Sequence, residues 1–257
     1  MKTYDPDRVA RFKNRRIAPD PFWKMPPTDI PDTPITFEMP ASGALRARRI
    51  ISRSAPRPTT KFPSIRLGRS VHCESVLEVE TAEWCDACYT VKSFGEQPLT
   101  IHYEMAGQRF THIPDFLIRT DDGTAFVEVK FIIDIDQDVY TRTWILKKAL
   151  LELGYRYYLI TENELRHGNY LTNARYLLRR GRAAVPDATK YQLISRLRSG
   201  ESLTWGGLTP TEQFHAARLI LEGELWVTMR LPILPSTSLV LPAKKQEEQP
   251  WLSQLLN

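Results

Sequence analysis

The chain has 257 residues, a net charge of +5, 42% hydrophobic side chains and three cysteines. That is material for one or two domains with real cores, and no apolar run approaches a membrane span. An odd cysteine count argues against a disulfide framework, and the N-terminal Met-Lys-Thr-Tyr-Asp lacks a signal segment, so a soluble cytoplasmic protein is expected.

Charge is unevenly distributed: +9 over residues 1–69, −9 over 70–165, +7 over 166–198 and −2 over 199–257. An acidic core between basic arms suits a protein whose flanks contact phosphates. The first 60 residues read as an extended basic arm, because eleven of the 19 prolines lie before residue 64. Arg46, Arg48, Arg49 and Arg53 open a stretch to Arg69 with eight basic and no acidic side chains, a candidate track for a DNA backbone.

Residues 70–83 predict a helix, with Val71, Val76, Leu77 and Val79 among its apolar positions and Glu74 and Glu78 on one face. Cys85-Asp86-Ala87-Cys88 lies just beyond it, with Cys73 and His72 as further candidate ligands, and is better read as reduced, partly buried thiols than as a zinc site, since a single CxxC lacks its partner pair.

Two apolar runs, 116–118 and 125–129, flank Asp121-Asp122-Gly123-Thr124, a strong hairpin signal. Strand side chains alternate, so Glu128 and Lys130 project to one side, and Asp115 lies at the same end of the paired strand. Two carboxylates and an ammonium therefore converge on one patch of sheet. Hydrolysis of a phosphodiester uses such a set: oxygen ligands for a divalent ion, and a cation beside the attacking water. Asp115 and Glu128 would be ligands and Lys130 the cation. Glu78 is the first candidate for a further ligand and Glu74 the second.

The pattern continues with Asp134, Asp136 and Asp138 in an acidic loop, a helix over 143–153 ended by Gly154, and a strand over 155–161. Helix, three strands, helix, strand is the order expected of an α/β, restriction-endonuclease-like core over 61–168. A second unit is expected over 169–242, with helices at 173–182, 186–198 and 209–221 and strands at 225–231 and 238–241, a winged-helix-like α+β arrangement. Its third helix carries Arg218 and His215 but also Glu212, Glu222 and Glu224, poor charge for groove reading, so it suits protein contact or weak backbone contact. Arg175, Arg179, Arg180 and Arg182 make the first helix the better DNA candidate. The tail, 243–257, places Trp251, Leu252, Leu255 and Leu256 at helical spacing, suiting a docking peptide.

Phe62-Pro63-Ser64, Arg69, the 74–78 block, Glu96-Gln97-Pro98, Pro114-Asp115-Phe116 and Glu128-Val129-Lys130 together resemble the TnsA endonuclease subunit of heteromeric bacterial transposases, a PD-(D/E)xK family. The resemblance implies a magnesium-dependent nuclease, with manganese substituting, that cuts one strand of double-stranded DNA at transposon ends. It implies as partners a DDE-type transposase subunit, which cuts and joins the other strand, and an AAA+ ATPase regulator. Glu78, Asp115 and Lys130 match the family's catalytic acid, acid and lysine, and Glu128 fills the remaining acidic position. Gln97 matches a recurrent Gln-Pro, either contacting DNA or water near the metal or serving the turn before Pro98. The fold also hosts stand-alone restriction, repair and resolvase nucleases and non-catalytic DNA-binding subunits.

Overall fold

The structure, a computed structural model, describes residues 27, 30–47, 59–105 and 107–242. The N-terminal half runs β1 (Ile35–Glu38), β2 (Thr60–Pro63), β3 (Ser70–Cys73), α1 (Val76–Ala87), β4 (Val91–Glu96), β5 (Thr100–Met105) and β6 (Gln108–His112). Then come β7 (Phe116–Thr120), β8 (Gly123–Val129), α2 (Gln137–Glu152), β9 (Arg156–Ile160) and the single turn α3 (Glu162–Leu165). Three longer helices follow, α4 (Tyr170–Arg180), α5 (Asp187–Arg198) and α6 (Pro210–Leu221).

The central sheet has the order β4-β7-β8-β9, with β8 and β9 parallel and the other pairs antiparallel. Thr120 pairs with Gly123 across a two-residue turn, Asp121-Asp122, and Gly123 takes φ 135°, which its missing Cβ permits. All of β8 from Ala125 to Val129 is buried, which explains why apolar residues occupy both faces of it apart from Glu128. Phe116, Ile118, Val127 and Ile160 share a core with Leu77 and Trp84 of α1. Phe126, Tyr157 and Leu117 pack with Ile145, Leu146 and Leu150 of α2. Helices thus cover both faces, the α/β layering expected.

Four expectations are corrected. Residues 70–83 are a strand followed by a helix. Val71 and Cys73 are buried in alternation on β3, paired with β2, and Ser75, extended at φ −142°, caps α1 by accepting the Glu78 N–H. Five strands rather than three separate α1 from α2, because β5 and β6 leave the central sheet and join β1 in a second, antiparallel one. The extended arm therefore contributes a strand. The second helix begins at Gln137, six residues early, because the Asp136 side chain accepts the Val139 N–H as its cap.

The fourth concerns the two C-terminal strands, which meet only through a Trp226–Val240 bridge. Their backbones are committed elsewhere: buried Asn173 donates to the Met229 and Leu231 carbonyls and accepts from Ile233 N–H. Trp205 and Gly206 donate to Thr237 and Pro235, and Leu239 donates to Leu203. Pro232 and Pro235 also lack the N–H that a ladder needs.

The helices of the C-terminal part begin and end as their residues dictate. Pro186 precedes α5; Thr209 and Glu212 form a capping box on α6, with Pro210 in its first turn. Gly223 follows at φ 76°, and a Cβ there would meet Tyr89 at 2.9 Å. One core runs through both parts of the chain. Trp84 of α1 stacks on Tyr170 at 5.1 Å and donates its indole N–H to the Leu165 carbonyl, and Arg66 donates to the Cys88 and Leu221 carbonyls. Among the described residues, no helix is long and apolar enough to cross a membrane.

Candidate active site

Pairing of Phe116 with Val127 sets Asp115, just before β7, beside Glu128 at the end of β8. Asp115 Oδ2 accepts the Val129 N–H at 2.7 Å. Its own carbonyl accepts the Gln97 N–H at 2.8 Å, and Gln97 holds φ 45°, an uncommon conformation for a residue with a Cβ. Buried Gln97 thus ties the end of β4 to the Asp115 backbone.

Glu128 is only 6% exposed. Its Oε1 lies 3.3 Å from Lys130 Nζ and 3.4 Å from an Arg142 guanidinium nitrogen, while Oε2 lies 3.4 Å from His112 Nε2. Tyr157 Oη is 2.9 Å from the same His112 nitrogen. Lys130 reaches the site by continuing β8: its N–H donates to the Ile160 carbonyl. Glu78 stands in the first turn of α1, where its carboxylate meets the positive end of the helix. Its Oε2 accepts the Glu74 N–H at 2.8 Å, so Glu74 supports the site through its backbone.

Electrostatics tie the three acids together. Burial pushes the Asp115 carboxyl well above the usual range, and the charges of Glu128 and Glu78 push it further, against the Val129 amide and Lys130. Burial likewise raises Glu78, with Glu74 and Glu128 adding to the effect. His112 is pushed down to about 3, by burial first and then by Arg142 and Lys130, so it faces Glu128 as a neutral ring. Carboxylates that oppose one another's ionisation in a buried place are the oxygen donors that could hold a hard divalent cation. Among the described residues, no three His, Cys, Asp or Glu side chains are grouped closely enough to hold a metal ion.

Asp115, Glu128 and Lys130 therefore come together, and Glu78 is coupled to them. Asp134, Asp136 and Asp138 are exposed and serve the entry to α2. The three cysteines are buried free thiols, and burial raises each of them. Of the candidate DNA contacts, Arg46 instead reaches Glu96 at 3.4 Å. Arg175 pairs with Glu83 and Glu80, and Arg180 lies over the Tyr176 ring at 3.8 Å. Arg179 and Arg182 are exposed. Arg48, Arg49 and Arg53 lie outside the described residues, as does the tail from 243.

Sequence reasoning missed His112, Arg142 and Tyr157. Arg142 stood one residue before the expected start of its helix; recognising Asp136 as a cap would have placed it on the face above Glu128. His112 ends a strand whose pairing with β5 is a tertiary fact, and Tyr157 carried no polar signal within its β-rich run.

No curated protein matches the chain. Residues 88–162 match the family described as TnsA-like endonuclease N terminal, a span that holds Gln97, Asp115, Glu128 and Lys130 and begins after Glu78. On that match, the segment that builds the central sheet and carries Asp115, Glu128 and Lys130 is similar to the N-terminal domain of TnsA-like endonucleases.

Proposed function

We propose that this chain is the metal-dependent DNA endonuclease subunit of a heteromeric transposase, hydrolysing a phosphodiester at transposon ends for cut-and-paste excision alongside a DDE-type transposase subunit. The observation that carries the reading is the meeting of Asp115, Glu128 and Lys130 at one end of adjacent strands within the TnsA-like span. Asp115, Glu128 and Glu78 would hold Mg2+, with Mn2+ as a substitute. Asp115 Oδ2 is taken by the Val129 amide, which leaves Oδ1 for a ligand. When bound, the ion would offset charge on the non-bridging phosphate oxygens and ease deprotonation of a water.

The chain's own groups do the positioning. Lys130 Nζ, part-exposed at the rim of Glu128, orients the attacking water and favours its hydroxide form. The water gives up one proton to solvent, its oxygen bonds to phosphorus as the bond to the leaving oxygen breaks, and the leaving oxygen takes up a proton from solvent. Arg142 and His112 fix the two oxygens of Glu128, and the Gln97 backbone fixes Asp115. The three C-terminal helices are read as an assembly module that meets the transposase or an AAA+ ATPase regulator, in a bacterial cytoplasm.

Cleavage of a supercoiled plasmid bearing the element's ends, with and without the neighbouring transposase, tests the reading. Cutting that needs both Mg2+ or Mn2+ and the transposase is expected. Equal cutting without the transposase would instead mark a stand-alone nuclease, and silence throughout a non-catalytic assembly subunit.

A further inference from the structure

The ribbon of β2 and β3 carries more positive charge than its surroundings balance. Lys61 pairs directly across the ribbon from His72, so the two side chains share a face. Lys61 is exposed, and among the described residues no carboxylate pairs with it. Behind the pair lies one buried acid, Glu96, 1% exposed, and it is already saturated. Arg69 grips it with two bonds of 2.9 Å, and the His72 backbone N–H donates to it at 3.2 Å.

Arg46 arrives as a further cation on the same oxygen, at 3.4 Å, and its buried Nη1 has no hydrogen-bond partner. Two guanidinium cations thus share one carboxylate, while Lys61 stands nearby on the ribbon outside that pairing. Their crowding registers on the imidazole between them: burial first, then Arg46, Lys61 and Arg69, disfavour protonation of His72 against the pull of Glu96. Elsewhere cations meet matching acids, as in Lys92 with Asp121, Lys190 with Glu224 and Arg218 with Glu222.

The surplus lies next to the carboxylate site. β3 passes from His72 through Cys73 to Glu74, whose N–H donates to Glu78, and burial together with the charges of Glu78, Glu96 and Asp115 raises the Cys73 thiol. Glu96 precedes Gln97, which holds the Asp115 backbone. A duplex brought to three carboxylates is repelled by them until its phosphates meet compensating cations nearby.

We propose that the outer face of the β2–β3 ribbon is the phosphate-backbone contact that seats duplex DNA against the acidic site, with Lys61 as the direct contact and Arg46 and Arg69 supplying the field beneath it. This rests on the nuclease reading and gives it a place for the substrate's backbone. Binding of a fluorescent duplex carrying a transposon end to the full chain, in EDTA and across a salt series, tests it. At about 0.1 M salt, Lys61→Ala is expected to weaken binding roughly eightfold and lower the slope of log K against log salt by about one, the amount due to one phosphate contact. Lys61→Arg should restore both, and Lys92→Ala, at the far end of the central sheet, should change neither. Lys61→Ala with wild-type affinity and slope, at unchanged melting temperature, would overturn the proposal while leaving the nuclease reading intact. A wild-type chain that binds no duplex at any salt would overturn this proposal, while the nuclease reading stands or falls on metal-dependent cleavage with the transposase present.

Discussion

Asp115 is held in place by its neighbours more firmly than its own charge would favour. Its carbonyl and one carboxylate oxygen are anchored by the Gln97 and Val129 amides, yet burial, Glu128 and Glu78 oppose its ionisation. The consequence for stability has a definite sign. A carboxyl whose folded pKa is raised binds its proton more tightly in the folded state than in the unfolded one. Its stabilising contribution is complete below the ordinary carboxyl pKa of about 4, and is lost as pH rises through the raised folded value. Metal-free protein should therefore melt at a higher temperature near pH 5 than near pH 7.5, as far as this site contributes. Asp115→Asn should flatten that difference. Mg2+ or Mn2+ should raise the wild-type melting temperature more at pH 7.5 than at pH 5, because the ion competes with the protons. Thermal melts in EDTA and in excess metal at both pH values check it; a metal shift that is absent, or as large in Asp115→Asn as in wild type, contradicts the ligand assignment.

At the scale of elements, the hairpin was legible and the start of the helix before it was not, for physical reasons. The β7–β8 turn is encoded locally by Asp-Gly between apolar runs, and the alternation rule placed Glu128 and Lys130 together. Over 70–83 the apolar residues fit either period, and only the pairing of β3 with β2 decides that Val71 and Cys73 belong to a strand. The local sign was present: Ser75 followed three residues later by Glu78 is a helix start. This boundary matters to the site, since it puts Glu78 in the first turn of α1 with its backbone N–H on the Ser75 hydroxyl at 3.1 Å. Ser75→Ala should cost about 1 kcal/mol by denaturant titration, and should depress cleavage beyond what that loss explains, because Glu78 is displaced with the cap. Ser75→Asp should recover most of the stability. An alanine variant with full activity would show that the turn orients nothing catalytic.

At the scale of the molecule, one apolar core passes from β2, β3 and α1 into α4 and α6 and joins the two parts of the chain, beside a second core between the central sheet and α2. Composition and punctuation located the helices of the second part within a few residues. They could not reveal that Trp84 packs on Tyr170, or that Arg66 ties its own loop to the carbonyl ends of α1 and α6, because those contacts join residues far apart in sequence. Such sharing predicts one cooperative transition in calorimetry, with calorimetric and van't Hoff enthalpies equal. Two separated transitions would mean that the halves fold independently. The same scale explains the charge pattern: the acidic segment is drawn into the carboxylate site and into ion pairs such as Glu80 with Arg166 and Arg175. Part of the apparent excess of basic side chains in α4 is thereby consumed internally.

The most direct test of the central claim is single-turnover cleavage of transposon-end DNA by wild type, Asp115→Asn and Lys130→Ala, with the transposase present and Mn2+ varied. Asp115→Asn should lose cleavage at every metal concentration while keeping the wild-type fold. Lys130→Ala should cut at least about a hundredfold more slowly with a near-normal metal midpoint, as expected when a group acting on the attacking water is removed. Cleavage by Asp115→Asn at the wild-type rate would contradict the account, and would place the chemistry outside this site.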